Sequence, residues 1–248
     1  MNEDSLGDRM KLYEGANRTY LPQHLPVILR VDGRAFHSYT SRCERPFDKK
    51  LMAAMDAVAI ELCEEVNNCK MAYVQSDEIS LLVQQNGQDA QPWFANNIQK
   101  MVSIAASVAS VKMTLQSEQL FGESKSANFD ARVFVLPPHE VVNYYIWRQQ
   151  DWIRNSVQML SRSYFSHSQL DGKSQTDMHE MLHQKDVNWA LLAPSLKNGR
   201  CVIKRDMSVV IPAGPMKGET VIRPKWVVDN EIPIFTQNRQ YVESLIKE

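Results

Sequence analysis

Two aspartates and the turns that carry them are the residues here whose types and spacing suggest chemistry. Asp32 follows the run Pro26-Val-Ile-Leu-Arg-Val31 and precedes Gly33, the spelling of a β-branched strand that breaks into a turn. Asp77 sits in Gln75-Ser-Asp-Glu78, between the strand-like runs Met71–Val74 and Ile79–Val83; four polar residues between such runs read as a hairpin. Oxygen ligands without His or Cys suit Mg²⁺, which takes a few carboxylates together with phosphate and water. Two such ions, about 3.5–4 Å apart, would clamp the attacking and leaving oxygens of a phosphoryl transfer. The segment Gly33-Arg34-Ala35-Phe36-His37 adds a tight turn whose backbone N–H groups suit a triphosphate. An ordinary Asp-Gly turn and an ordinary hairpin loop are spelled the same way, so spacing alone leaves both readings open.

The carboxylates lie 77 − 32 = 45 residues apart, so the fold must bring them together. Leu51, Met55, Val58, Leu62 and Val66 recur at helical spacing, which predicts a helix over about 47–66. A second helix is predicted from near Trp93 to Leu115, with Ile98, Met101, Val102, Ala105, Val108 and Ala109 on its buried face. Arg132–Leu136, stopped by Pro137-Pro138, reads as a fourth strand. The order β-α-β-β-α-β is the ferredoxin-like split motif, an α+β arrangement with an antiparallel sheet and both helices on one face. Its first strand and hairpin strands are central neighbours, so Asp32 and Asp77, with Glu78 beside them, converge if the register is the appropriate one. Further on, helices are expected over about 139–162 and 177–183. The β-rich runs Cys201–Arg205, Val209–Ile211 and Val221–Val228 follow. No linker or composition break appears, so residues 1–248 are expected to form one unit, a core of about 20–138 and a C-terminal part of about 139–248.

Composition narrows the classes. Hydrophobic residues make up 44% and charged residues 23%, ordinary for a globular chain. The net charge is −1, yet 197–225 holds Lys197, Arg200, Lys204, Arg205, Lys217, Arg223 and Lys225 against Asp206 and Glu219. Such a basic segment suits an RNA backbone without proving one. The N-terminus is polar and acidic, unlike a targeting peptide, and Met101–Val111 is too short to span a bilayer. Cys43, Cys63, Cys69 and Cys201 show no CxxC pair, so reduced thiols in a cytoplasmic protein without membrane contact are expected. His179-Glu-Met-Leu-His183 spells the zinc-protease pattern, but its polar flanks argue for a chance match. Tyr144 and Trp147 could stack bases, whereas Tyr145 and Trp152 read as core.

Four blocks carry a resemblance. Val27–Thr40 (VILRVDGRAFHSYT), Tyr73–Val83 (YVQSDEISLLV), Phe129–Arg132 (FDAR) and Trp147–Ser156 (WRQQDWIRNS) resemble, in order and spacing, the signature blocks of the tRNA(His) guanylyltransferase family. The resemblance implies a polymerase-palm-like core and addition of nucleotides to the 5′ end of tRNA in the 3′–5′ direction, with two Mg²⁺ ions and with GTP and ATP as substrates. It implies Asp32, Asp77 and the Gly33 carbonyl as metal ligands; Glu78, beside them in the hairpin, reads as a further catalytic carboxylate. Gly33, Arg34, Ala35, Phe36 and His37 would form a triphosphate loop, with Arg45 in place of a family lysine and Asp48 near the base. Ser76, Lys100 and Arg132 would hold a second triphosphate. Contacts to tRNA are expected at Arg148, Arg154, Asn155, Lys204 and Arg205, and a homotetramer built as a dimer of dimers is implied. After the fourth block the chain reads Ile153-Arg154-Asn155-Ser156, without the histidine of an HINN-type signature. That departure points to the bacterial and archaeal-type branch and to template-dependent 5′-end repair rather than addition of a single G to tRNA(His). The competing class is a non-catalytic RNA-binding module, which should show aromatics on an open sheet face; a nucleotide cyclase is the third.

Overall fold

The structure is a computed structural model and describes residues 5–85, 87, 90–210 and 218–247. Ile211, at the end of one predicted strand run, and Lys217 of the basic segment lie outside the described residues. In chain order the elements are α1 (Leu6–Gly15), β1 (Val27–Gly33), α2 (Phe36–Tyr39), α3 (Lys49–Glu65), β2 (Cys69–Gln75), β3 (Glu78–Val83), α4 (Ile98–Phe121) and β4 (Phe129–Val135). The second half adds α5 (Val141–Tyr164), α6 (His167–Leu170), α7 (Gln175–His183), α8 (Pro194–Lys197), β5 (Arg200–Val210), β6 (Thr220–Asp229) and α9 (Arg239–Lys247). The six strands form one antiparallel sheet in the order β4-β1-β3-β2-β5-β6.

The first four strands and α3 and α4 realise the expected split motif. One face of the sheet, carrying Leu29, Val31, Ala72, Val74, Ile79 and Leu81, packs on Met55, Val58 and Leu62 of α3 and on Met101, Ala105 and Ala109 of α4. Side chains alternate along a strand, so Ile28, Met71, Tyr73 and Leu82 face the other way. They are covered by Val141, Tyr144 and Tyr145 of α5 and by Val242 and Leu245 of α9. The aromatic-bearing sheet face that an RNA-binding module would present is therefore closed, and Tyr73 is fully buried.

Two expectations are corrected, and the expected β-rich extension is located. The β2–β3 connection is a two-residue turn, Ser76-Asp77, because Gln75 pairs with Glu78 in the ladder. The helix predicted from Trp93 begins at Ile98, since Phe94 and Ala95 take left-handed φ angles of 49° and 52° and Asn97 caps the helix by accepting from the Lys100 N–H. The C-terminal β-rich segment is an extension of the main sheet: Arg200–Ile203 pair with β2, and the remainder of β5 with β6 projects as a two-stranded ribbon.

Candidate active site

β1 and the β2–β3 turn meet at one end of the sheet. Asp32 stands directly opposite Glu78 on β3 and Asp130 on β4, and the Gly33 N–H donates to the Asp77 carbonyl at 3.1 Å. The register assumed from the sequence thus holds, and Asp32 and Asp77 are near neighbours. Burial, first, and then the charges of Asp77, Glu78 and Asp130 push the Asp32 carboxyl up to about 6, against the opposing pull of Arg30. Burial raises Asp77 as well, while its hydrogen bond to Ser76 works the other way.

The turn after β1 is fixed from both sides. The Arg34 N–H donates to the Asn128 carbonyl at 2.8 Å, Ala35 takes φ 55°, and the Phe36 ring is buried against Phe129 and Tyr39. A Cβ on Gly33 would lie 2.3 Å from that ring, so only glycine lets Phe36 fold over the strand end. Beneath the turn opens a cavity of about 460 Å³. Its polar wall includes His37, Arg45, Asp48, Ser76 and Asp77, and its apolar wall includes Phe47, Leu51, Met52 and Trp152. Trp152, expected as plain core, packs edge-on to Phe47 at 6.4 Å and closes the cavity from the α5 side. Asp48 does two jobs: it lines the cavity, and its carboxylate caps α3 and accepts from Glu44, Lys50 and Leu51 N–H groups. Burial alone would raise its pKa; those three donors outweigh burial and lower it. Asp32, Gly33, Arg34 and Ala35 stand beside the cavity rather than in its lining.

A family model described as tRNAHis guanylyltransferase matches residues 7–137. The chain belongs to this family. It is 40% identical to a bacterial tRNA(His) guanylyltransferase-like protein solved in complex with ATP, with 98% of this chain and 99% of that one covered and a TM-score of 0.87. A bacterial guanylyltransferase-like protein solved in complex with GTP is 37% identical over the same shares, with a TM-score of 0.80. A probable tRNA(His) guanylyltransferase of Dictyostelium discoideum is 24% identical over 204 residues, covering 75% of this chain and 77% of that one. The chain is accordingly a nucleotidyltransferase of the tRNA(His) guanylyltransferase family, with the α/β fold of that family. Among the described residues no helix is long and apolar enough to cross a membrane, and all four cysteines are free thiols.

Set against the family's pattern, the structure relocates three residues. Glu78 does not reach the cavity: Arg148 grips it through Nε at 2.7 Å and Nη2 at 2.6 Å, and Gln75 and Ser80 donate to the same carboxylate. Arg148, expected on tRNA, is consequently buried between Glu78 and Asp151 and offers RNA no face. Lys100 is exposed near the start of α4, at the opposite end of the sheet; Ile98 there bonds the Thr19 carbonyl, and Asn96 bonds the Pro22 carbonyl. Phe121, one end of the same helix, meets Tyr39 beside the turn, which puts Lys100 roughly 30 Å away along the helix. Ser76 lines the cavity, but Arg132 stands on β4, 3.6 Å from Asp130. The predicted trio therefore does not assemble within one chain.

A residue that the sequence motifs did not single out is Arg30. It lies directly opposite Arg132 in the β1–β4 pairing, and its buried Nε has no partner in the structure. Two guanidiniums abreast repel, an arrangement that an anion would relieve. The signal is present in the sequence: in a strand of period two, Arg30 shares its face with Asp32. Arg154, Asn155, Lys204 and Arg205 are exposed. Arg154 pairs with Asp151 at 2.7 Å, Arg205 with Asp229 at 3.1 Å, and Lys204 lies over the Trp226 ring. His179 of the zinc-like spelling packs edge-on to Trp189.

The donor chemistry fits a divalent cation. Asp32 and Asp77 offer carboxylate oxygens, the donor type Mg²⁺ takes together with water and phosphate oxygens, and among the described residues no three His, Cys, Asp or Glu side chains are grouped to hold an ion. The raised Asp32 has a consequence for the metal-free protein. A carboxyl whose folded pKa exceeds its unfolded value binds its proton more tightly when folded, so its ionisation costs stability as pH rises through about 6, and the cost vanishes below about 4. In EDTA, Asp32→Asn should therefore melt above wild type at pH 7.5, by about 2–4 °C, a modest gain because the partly exposed carboxyl is screened by water. Scanning calorimetry should show the difference closing toward pH 4.5; a constant difference would assign the effect to packing.

Proposed function

We propose that this enzyme extends the 5′ end of tRNA in the 3′–5′ direction, choosing each nucleotide by its pairing with the opposing 3′-strand base. The carrying observation is the juxtaposition of Asp32 and Asp77 with a cavity that is polar at the strand ends and apolar against α3 and α5. The cavity has the size and polarity for a nucleotide, and ATP and GTP complexes of bacterial relatives support that occupant. In this reading the chain acts as one catalytic unit, in the cytoplasm, and as a dimer of dimers.

In 3′–5′ growth the incoming nucleotide contributes its 3′-hydroxyl as nucleophile. That oxygen attacks the α-phosphorus of the activated 5′ end, a phosphoester forms, and pyrophosphate, or AMP from an ATP-activated end, departs. Two polyphosphates are held at once. His37, Arg45 and the Phe36 and His37 N–H groups serve the nucleotide in the cavity, and the abreast Arg30 and Arg132 serve the second, in place of the predicted trio with Lys100. Asp32, Asp77 and the Gly33 carbonyl would hold Mg²⁺, which when bound supplies charge neutralisation at the transferring phosphate. Asp77 links the two sites, since it lines the cavity and its carbonyl anchors the end of β1.

The missing histidine at Ile153–Ser156 supports template-dependent repair over addition of a fixed G to tRNA(His). A 5′-truncated tRNA incubated with all four nucleoside triphosphates should gain the complement of the opposing base. Changing that base should change the nucleotide added, with a preference of at least about tenfold, the worth of roughly 1.4 kcal/mol in the transition state. Addition of G whatever the template, confined to tRNA(His), would overturn the repair reading and leave G addition in its place.

A further inference from the structure

Arg200 opens β5 inside the segment whose basic residues suggest an RNA surface, yet it is only 2% exposed. Its side chain lines the nucleotide-sized cavity. Among the described residues it makes one side-chain hydrogen bond, from Nε to Asp56 Oδ1 at 2.6 Å. A guanidinium has five donors in a rigid fork, and buried donors are almost always satisfied. Both Nη groups are thus left with the cavity as the place to find an acceptor.

The backbone that delivers Arg200 is held rigidly. The Tyr73 hydroxyl and Gln149 Nε2 both donate to the Asn198 carbonyl, at 2.9 and 3.1 Å, and Asn198 Nδ2 donates to the Ile232 carbonyl. Gly199 takes φ +81°, and a Cβ there would lie 2.6 Å from the Tyr73 hydroxyl. Asp56, the partner of Arg200, is four residues after Met52 on α3, hence on the same helix face. The bond to Asp56 therefore holds the guanidinium against α3, the helix that brings Leu51 and Met52 to the cavity's apolar wall.

We propose that Arg200 is a specificity-determining residue that reads the base edge of the nucleotide in this cavity, favouring a purine with acceptors at both O6 and N7. A guanidinium fork matches those two atoms of guanine, whereas adenine offers N7 beside an amino donor. The inference rests on the cavity being the nucleotide site, and concerns the nucleotide's own affinity before a template base is engaged. Asp56 holds the fork by Nε, which leaves the outer edge of the guanidinium for the ligand.

The test is calorimetric binding of GTP, ITP, ATP and inorganic tripolyphosphate in Mg²⁺ without tRNA, to wild type and to Arg200→Lys, which keeps a charge for Asp56 but loses the fork. Affinity for GTP and ITP should fall at least about tenfold, as loss of one bidentate base contact implies. Affinity for ATP should fall far less, and affinity for tripolyphosphate not at all. Uniform weakening of all four ligands would mean that Arg200 holds phosphate, and would overturn the proposal. Unchanged affinities with a lowered melting temperature would make it a structural residue only, and would overturn the proposal equally. If Arg200→Lys does not fold, Arg200→Met combined with Asp56→Leu removes both charges and is read by the same ratios. Wild-type protein that binds none of the four ligands would overturn the cavity assignment itself, and the inference with it.

Discussion

Asp32→Ala and Asp77→Ala should each abolish nucleotide addition, by at least about a thousandfold in single-turnover rate on a 5′-triphosphorylated tRNA, in protein that remains folded. Removing one preorganised charge-stabilising group in a dry site typically costs a hundred- to a thousandfold. In the proposed reading both aspartates would hold the cation that neutralises the transferring phosphate, so the upper end is expected. Folding should survive because each carboxylate is a net burden on the metal-free chain: burial and neighbouring acids raise Asp32, and burial raises Asp77. Circular dichroism and a thermal melt establish the folded state, and the rate is read by gel or thin-layer analysis of labelled tRNA. A folded variant with near wild-type turnover in Mg²⁺ would remove that aspartate from the reaction centre.

Arg148→Ala should be the most destabilising single change discussed, because it leaves the buried Glu78 carboxylate unpaired. A loss of about 3–5 kcal/mol in a urea titration is expected. For a chain of this size that corresponds to a drop of roughly 10 °C in melting temperature. Replacing both partners, as Glu78→Gln with Arg148→Met, should cost far less, since no lone charge remains. If Arg148 were instead an exposed RNA contact, Arg148→Ala would change stability by less than about 0.5 kcal/mol and weaken tRNA binding. The two outcomes cannot be confused.

Strand and helix order is legible in the sequence where periodicity is strong. The helix under Leu51–Val66 and the hairpin around Asp77 follow from apolar spacing and turn composition, and the convergence of Asp32 with Asp77 needs only the register that β1 and β3 adopt. Less is legible where a polar side chain's surroundings decide its role. Arg148 and Arg200 read as surface cations because charged residues usually are; nothing local reveals that Glu78, 70 residues away, and Asp56, 144 residues away, bury them. Lys100 differs for another reason. Its position along α4 follows from the sequence, but its distance from the site depends on the direction of α4 against the sheet. A β-α-β order that returns to β4 beside β1 requires this helix to begin at the end remote from Asp32.

α5 begins after the segment matched by the family model and yet reaches deep into what that segment builds. Arg148 neutralises Glu78 beneath the sheet, and one turn later Trp152 closes the cavity. Farther along the same helix Met159 and Arg162 extend the cavity wall. A helix is stiff over these few turns, so a shift at one of these contacts is transmitted to the others. The half of the molecule that bears the chemistry is thus not a portable module. Cut free at Leu136, it would expose Ile28, Met71 and Leu82 to water and strand Glu78 without its counterion. The two halves are therefore bound to change in concert, each substitution on α5 answering to the carboxylates it steadies.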